Sequence, residues 1–159
     1  SLPDVLDESF DIVFTSYGTI GWLPDIQRWA TVVSNFMRPG AALVFAEFHP
    51  VVWMFSDDFQ QIEYRYFTDA AIIEESATTY TDGKLPQSSS SVGWNHGMAE
   101  VLQALLDQGL TLKKVEEFDY SPYDCFENTI KCDDGKFKIK GLEDKIPMVY
   151  SLKAVKGIL

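Results

Sequence analysis

At 159 residues and 46% hydrophobic, the chain has single-domain length and ample apolar content for a packed core. A formal charge of −11 would repel a phosphate backbone or an anionic bilayer, which argues against nucleic acid and membrane surfaces as partners. No apolar run nears the roughly 20 residues that span a bilayer and no signal-peptide pattern opens the chain, so the acidity reads as solubility in a cytoplasm.

The aromatic share of 14% fits either a heavily packed sheet or an aromatic-lined ligand site. Cys125 and Cys132 match no common zinc spacing and are too few for a disulfide framework, so they read as free thiols in a reducing compartment.

In chain order, residues 10–14 form a short apolar run rich in β-branched and aromatic residues, which predicts a buried strand. It runs into a loop marked by Gly18 and Gly21. Pro24 and Asp25 then open an amphipathic helix that extends to about Met37. Its apolar face carries Ile26, Trp29, Ala30, Val33, Phe36 and Met37. Arg38-Pro39-Gly40 ends it, and residues 41–48 make a second buried strand. Strand, helix and strand with short links predict a parallel βαβ unit with a right-handed crossover.

Residues 49–95 break that rhythm. Two strand-like runs, 63–68 and 72–82, lead to a turn at Asp82-Gly83 and a Ser-rich loop over 84–93. This pattern reads as an antiparallel insertion. Asn95 is a candidate N-cap for a helix striped by Met98, Val101, Leu102, Leu105 and Leu106 and closed by Gly109. A third strand follows over 112–118, then a polar excursion with a hairpin signal at Asp133-Asp134-Gly135, and a fourth core strand over 148–155. The basic residues near Lys113 and Lys138 read as solvated strand edges. Neither repeats nor a domain linker are apparent.

These residues resemble a known family. Asp-Glu-Ser-Phe-Asp-Ile-Val-Phe (residues 7–14), a glycine-bearing loop, a helix ending in Met-Arg-Pro-Gly (37–40) and then Ala-Leu-Val-Phe (42–45) are similar to the fourth strand, fourth helix and fifth strand of class I S-adenosylmethionine (SAM)-dependent methyltransferases. Asp107-Gln108-Gly109-Leu110, with 112–118 and 147–155, looks like that family's fifth helix, sixth strand and antiparallel seventh strand. Nearly the whole chain can be placed in this way.

The resemblance implies an α/β fold class: the C-terminal half of a Rossmann-like methyltransferase domain, strands four to seven with flanking helices. An antiparallel insertion over about 53–93 would cover the substrate side. It implies SAM as cofactor and a small-molecule methyl acceptor. The family's Gly-x-Gly-x-Gly loop and the acidic residues after its second and third strands have no counterpart here. The chain is therefore expected to be a fragment, or an independently stable half, that is inactive and binds SAM poorly by itself. One side of the strand over 10–14 would lie unpaired, so a homodimer or a partner chain along that edge is expected.

The resemblance assigns a role to one loop, and residue chemistry at the strand ends suggests the others. Thr15, Ser16, Tyr17 and Gly18 correspond to the family loop whose backbone carbonyl holds the cofactor's amino group; the alternative is an ordinary strand-to-helix turn. His49, just past a core strand, is a candidate general base, or else a histidine bonded to backbone. His96 near a helix N-terminus is a second candidate base, or a cap-region histidine facing solvent. Trp53 and Tyr123, with Tyr64, Tyr66 and Phe67, would line an apolar substrate pocket unless they are core. Glu47 is either a buried acid of the site or a surface acid, with the surface preferred. Trp22 is expected to staple the helix. No carboxylate stands at ligand spacing from either histidine, so no metal site is expected. The rival functions are a non-catalytic module that pairs through its sheet edge and, more remotely, a nicotinamide oxidoreductase.

Overall fold

The computed structural model describes residues 6–67, 70–78 and 84–158. Its centre is a four-stranded sheet of β1 (Phe10–Thr15), β2 (Met37–Phe48), β8 (Val149–Lys156) and β5 (Leu110–Phe118), in that spatial order. β1 and β2 are parallel and joined through α1 (Ile26–Asn35), as a βαβ unit requires. β8 lies between β2 and β5 and runs antiparallel to both.

α1 and α2 (Met98–Asp107) pack side by side on one face of this sheet. The main core lies beneath them: Trp29, Ala30 and Val33 of α1, Val101 and Leu105 of α2, and Leu43, Phe45, Tyr150 and Leu152 of the strands. Each such large side chain contributes about 1.5–3 kcal/mol by leaving water.

Along β2 the buried residues Ala41, Leu43, Phe45 and Glu47 alternate with Ala42, Val44 and Ala46, which turn to the other face. That second face is bare at β1. Ile12 is 66% exposed and Phe14 64%, beside their register partners Ala42 and Val44. The strand expected to be buried is therefore an exposed edge among the described residues, because nothing there covers this face or pairs with its outer side.

The helix over 26–37 stops two residues early, with Phe36 as C-cap. Met37 already pairs with Phe10, and the register is interrupted between that pair and Ile12–Ala42. Arg38-Pro39-Gly40 forms this irregularity, where Pro39 needs no ladder donor and Gly40 takes φ 80°. The Lys156 ammonium donates to the carbonyls of Ser34 and Met37 at 2.7 and 3.0 Å, closing the carbonyl end of α1.

The insertion is present as β3 (Ile72–Thr78) paired antiparallel with β4 (Lys84–Gly93). The Ser-rich segment is thus a strand, not a loop: backbone pairing with β3 satisfies its ladder whatever its side chains. The turn at Asp82-Gly83 lies outside the described residues. Residues 63–67 are not a strand. The N–H groups of Glu63 and Tyr64 both donate to the Met54 carbonyl, folding the segment back on the preceding turn. The hairpin at Asp133-Asp134-Gly135 joins β6 (Thr129–Lys131) to β7 (Phe137–Ile139).

Asn95 does not cap α2; Gly97 occupies the N-cap. The Tyr66 hydroxyl accepts the Met98 N–H at 3.1 Å, while the Asn95 amide donates to the carbonyls of Pro50 and Arg65. Among the described residues no helix is long and apolar enough to cross a membrane.

Candidate functional site

At the carboxyl ends of β1, β2 and β5, the loops enclose a cavity of about 870 Å³. That size falls within the range of small-molecule sites. Its floor is built from the β1–α1 loop and the end of β2, its walls from residues 50–59 and 123–127, and its roof from the base of the β3–β4 hairpin.

Glu47 organises the floor. It is 2% exposed, and its carboxylate accepts four backbone N–H groups. Oε1 takes those of Gly18 and Phe48; Oε2 takes Thr19 at 2.8 Å and Ile20 at 3.3 Å. This buried carboxylate serves as the fixed partner of a loop whose donors would otherwise be unsatisfied. Gly18 sits at φ 70°, a conformation that favours glycine, and lines the cavity. The Thr19 hydroxyl donates to the Ser16 carbonyl, which tightens the same turn.

Of the residues singled out for the cofactor loop, Gly18 lines the cavity, whereas Thr15, Ser16 and Tyr17 do not. The Tyr17 ring packs on Phe48 and meets Tyr123 edge-on, at 5.4 and 5.9 Å between centroids. Burial, Tyr120 and the Glu47 carboxylate push the Tyr17 phenol upward.

Trp53 and Tyr123 both line the cavity, 40% and 43% exposed. Phe48 stands between them with its ring edge-on to each, and Phe126 completes the wall against Phe48 and Trp53. Tyr64 also lines the cavity, its phenol pushed up to about 12 by burial and then by its hydrogen bond to Glu74. Tyr66 sits under α2 and Phe67 is open to solvent, so neither joins the wall. Trp22 is exposed and faces the cavity.

The two histidines part company. His96 is buried on the cavity wall, with Nε2 2.7 Å from the Leu23 carbonyl and Nδ1 3.1 Å from the Glu100 carboxylate. Both partners are acceptors, so a neutral ring donates to one of them at a time, as its tautomer sets. His49 is buried outside the cavity lining. Its Nδ1 accepts the Val51 N–H at 3.2 Å, which leaves Nε2–H to donate to Glu117 at 2.8 Å. Burial lowers its pKa from 6.5, opposed by the nearby Glu117 carboxylate.

Among the described residues five carboxylates line the cavity: Glu47, Asp57, Glu74, Asp124 and Glu127. Among the described residues no lysine or arginine joins them. Nor do any three or more His, Cys, Asp or Glu side chains come together as a metal site among those residues. The sequence reading did not single out Phe126 or the acidic rim. Their signal is weak, because loop residues carry no periodicity.

No protein-family model matches the sequence, and no curated protein matches it either. Solved structures do match. One is a Listeria monocytogenes protein assigned as a SAM-dependent methyltransferase, 15% identical, with TM-score 0.57 over 94% of this chain and 62% of that one. Another is a SAM-dependent methyltransferase structure from Methanosarcina mazei, 14% identical, with TM-score 0.53 over 96% of this chain and 62% of that one. A third, from Mesorhizobium loti, is 15% identical with TM-score 0.51, again over 94% and 62%. At 62% the chain spans less than two thirds of their length, and over that length it has the fold of these SAM-dependent methyltransferases.

Proposed function

We propose that this chain is the acceptor-facing part of a SAM-dependent methyltransferase for a small molecule, with the remainder of the cofactor site on residues outside it. The observation that carries this reading is the position of β8, antiparallel between β2 and β5, above a cavity at the carboxyl ends of the parallel pair. SAM, when bound, supplies an electrophilic methyl on a sulfonium.

The residues present fit part of that group. The Glu47 nest holds the β1–α1 loop in one conformation, so its backbone is preorganised toward the cavity beside Gly18. The carboxylates around the cavity suit a cation, and no described lysine or arginine lines it. The aromatic wall of Trp53, Tyr123 and Phe126 would orient the acceptor and exclude water. His96, held between the Leu23 carbonyl and the Glu100 carboxylate, braces the loop. His49 braces the end of β2 against β5 through its Nε2 contact with Glu117.

Calorimetric titration of the full reading frame with SAM tests this. Binding in the micromolar range is expected, and its absence would remove the methyltransferase reading.

A second reading has its own observation, the apolar edge strand with Ile12 and Phe14 exposed. Under it the chain is a non-catalytic module, or a homodimer subunit, joined along β1. A monomer at high micromolar concentration would count against this.

A further inference from the structure

The aromatic wall and the acidic rim of the cavity occupy the same place. Among the described residues nine aromatic side chains line the cavity, and Trp53 and Tyr123 on its walls are 40% and 43% exposed. Three of the five carboxylates, Asp57, Asp124 and Glu127, come from the two segments that carry those rings.

The other two acids are already occupied. Glu47 is committed to four backbone donors, and Glu74 accepts the Tyr64 hydroxyl. Asp124 accepts the Thr129 hydroxyl with one oxygen only. Asp57 and Glu127 are exposed and make no hydrogen bond or ion pair among the described residues. Their charges therefore act on whatever fills the cavity. The upward shift of Tyr64 includes a contribution from Asp57, after burial, the hydrogen bond to Glu74 and the charges of Glu74 and Glu63.

An aromatic face attracts a cation through its quadrupole, and a desolvated contact is worth about 2 kcal/mol. A neutral apolar ligand would gain from the rings alone. An anion would meet the carboxylates with no lysine or arginine among the described residues to offset them. We infer that the cavity takes a cationic acceptor, a small molecule whose ammonium group lies against Trp53 and Tyr123 within the field of Asp57, Asp124 and Glu127. This rests on reading the cavity as the methyl-acceptor site, and the ammonium is assigned here as the recognition group.

Three probes of one size separate the possibilities: 2-phenylethylamine, 2-phenylethanol and phenylacetate, titrated into the full reading frame by calorimetry and ligand-observed NMR at low salt. The amine is expected to bind at least tenfold more tightly than the alcohol, and phenylacetate more weakly than either. The double variant Asp57→Asn with Glu127→Gln should weaken the amine about fivefold and leave the alcohol unchanged. Both positions are exposed, so the fold should survive, and circular dichroism checks it. Trp53→Phe should weaken the amine less than Trp53→Leu does.

Equal binding of amine and alcohol, or preference for phenylacetate, overturns the inference. Titration with SAM is run as a separate arm. Amine selectivity without SAM binding removes the methyltransferase reading and leaves the cation site standing; SAM binding without amine selectivity does the reverse.

Discussion

The Glu47 carboxylate and the Thr19 backbone N–H meet at 2.8 Å across 28 residues of chain. That contact joins the end of β2 to the loop after β1, and the same carboxylate also receives Gly18, Ile20 and Phe48. One side chain therefore sets the shape of the cavity floor.

Removing it should be severe. Glu47→Ala leaves several donors without an acceptor in a largely buried place, and a loss of about 3 kcal/mol is expected at 1–3 kcal/mol per unsatisfied group with partial hydration. Glu47→Gln keeps one acceptor oxygen and should lose less, on the order of 1–2 kcal/mol. Urea denaturation measures both, and wild-type stability in Glu47→Ala would refute the nest as a structural element.

His49 should make stability depend on pH with a defined sign. Its folded pKa lies below the ordinary 6.5, because burial outweighs Glu117. Between the two values the unfolded chain binds more protons than the folded one. Stability should therefore be full above 6.5 and fall as pH drops through the window just below it. An NMR titration of the His49 ring should give a midpoint under 6.5, and Glu117→Gln should move it lower still. A midpoint above 6.5 would contradict the assignment.

The cap of α2 comes from outside its own sequence. Because the Tyr66 hydroxyl accepts the Met98 N–H while Gly97 offers no side chain, Tyr66→Phe should destabilise by about 1 kcal/mol. Asn95→Ala acts elsewhere, on the link between the segments holding Pro50 and Arg65. Amide exchange at the start of α2 should quicken in the first variant; no change there would count against the Tyr66 cap.

The β1 edge makes a prediction about association. Ile12→Lys with Phe14→Lys places charge on the two most exposed apolar positions of the strand. If this chain pairs along β1, sedimentation velocity should show the wild type as a dimer or larger and the variant as a monomer. Identical profiles would exclude that edge.

The βαβ order, the hairpin at Asp133-Asp134-Gly135 and the closing strand were legible because their signals are local: apolar period, helix punctuation and turn chemistry. The position of Glu47 was also written there. It falls in phase with Ala41, Leu43 and Phe45, so strand alternation alone puts it on the core face. Its carboxylate made the surface the natural expectation, and only the fold shows the four donors that let it be buried. The Ser-rich strand was not legible, since its pairing with β3 uses backbone groups that every residue carries.

What the sequence determined by itself is the succession of elements and the aromatic and acidic stock of the chain, both properties of neighbours along the backbone. The tertiary structure decided which of these meet. It brought Gly18, Trp53, Tyr123 and His96 around one cavity and left His49, Thr15, Ser16 and Tyr17 out of its lining. It also gave the Thr19 loop its anchor in Glu47. Contacts between distant residues depend on how strands and loops stack, and no local period encodes that.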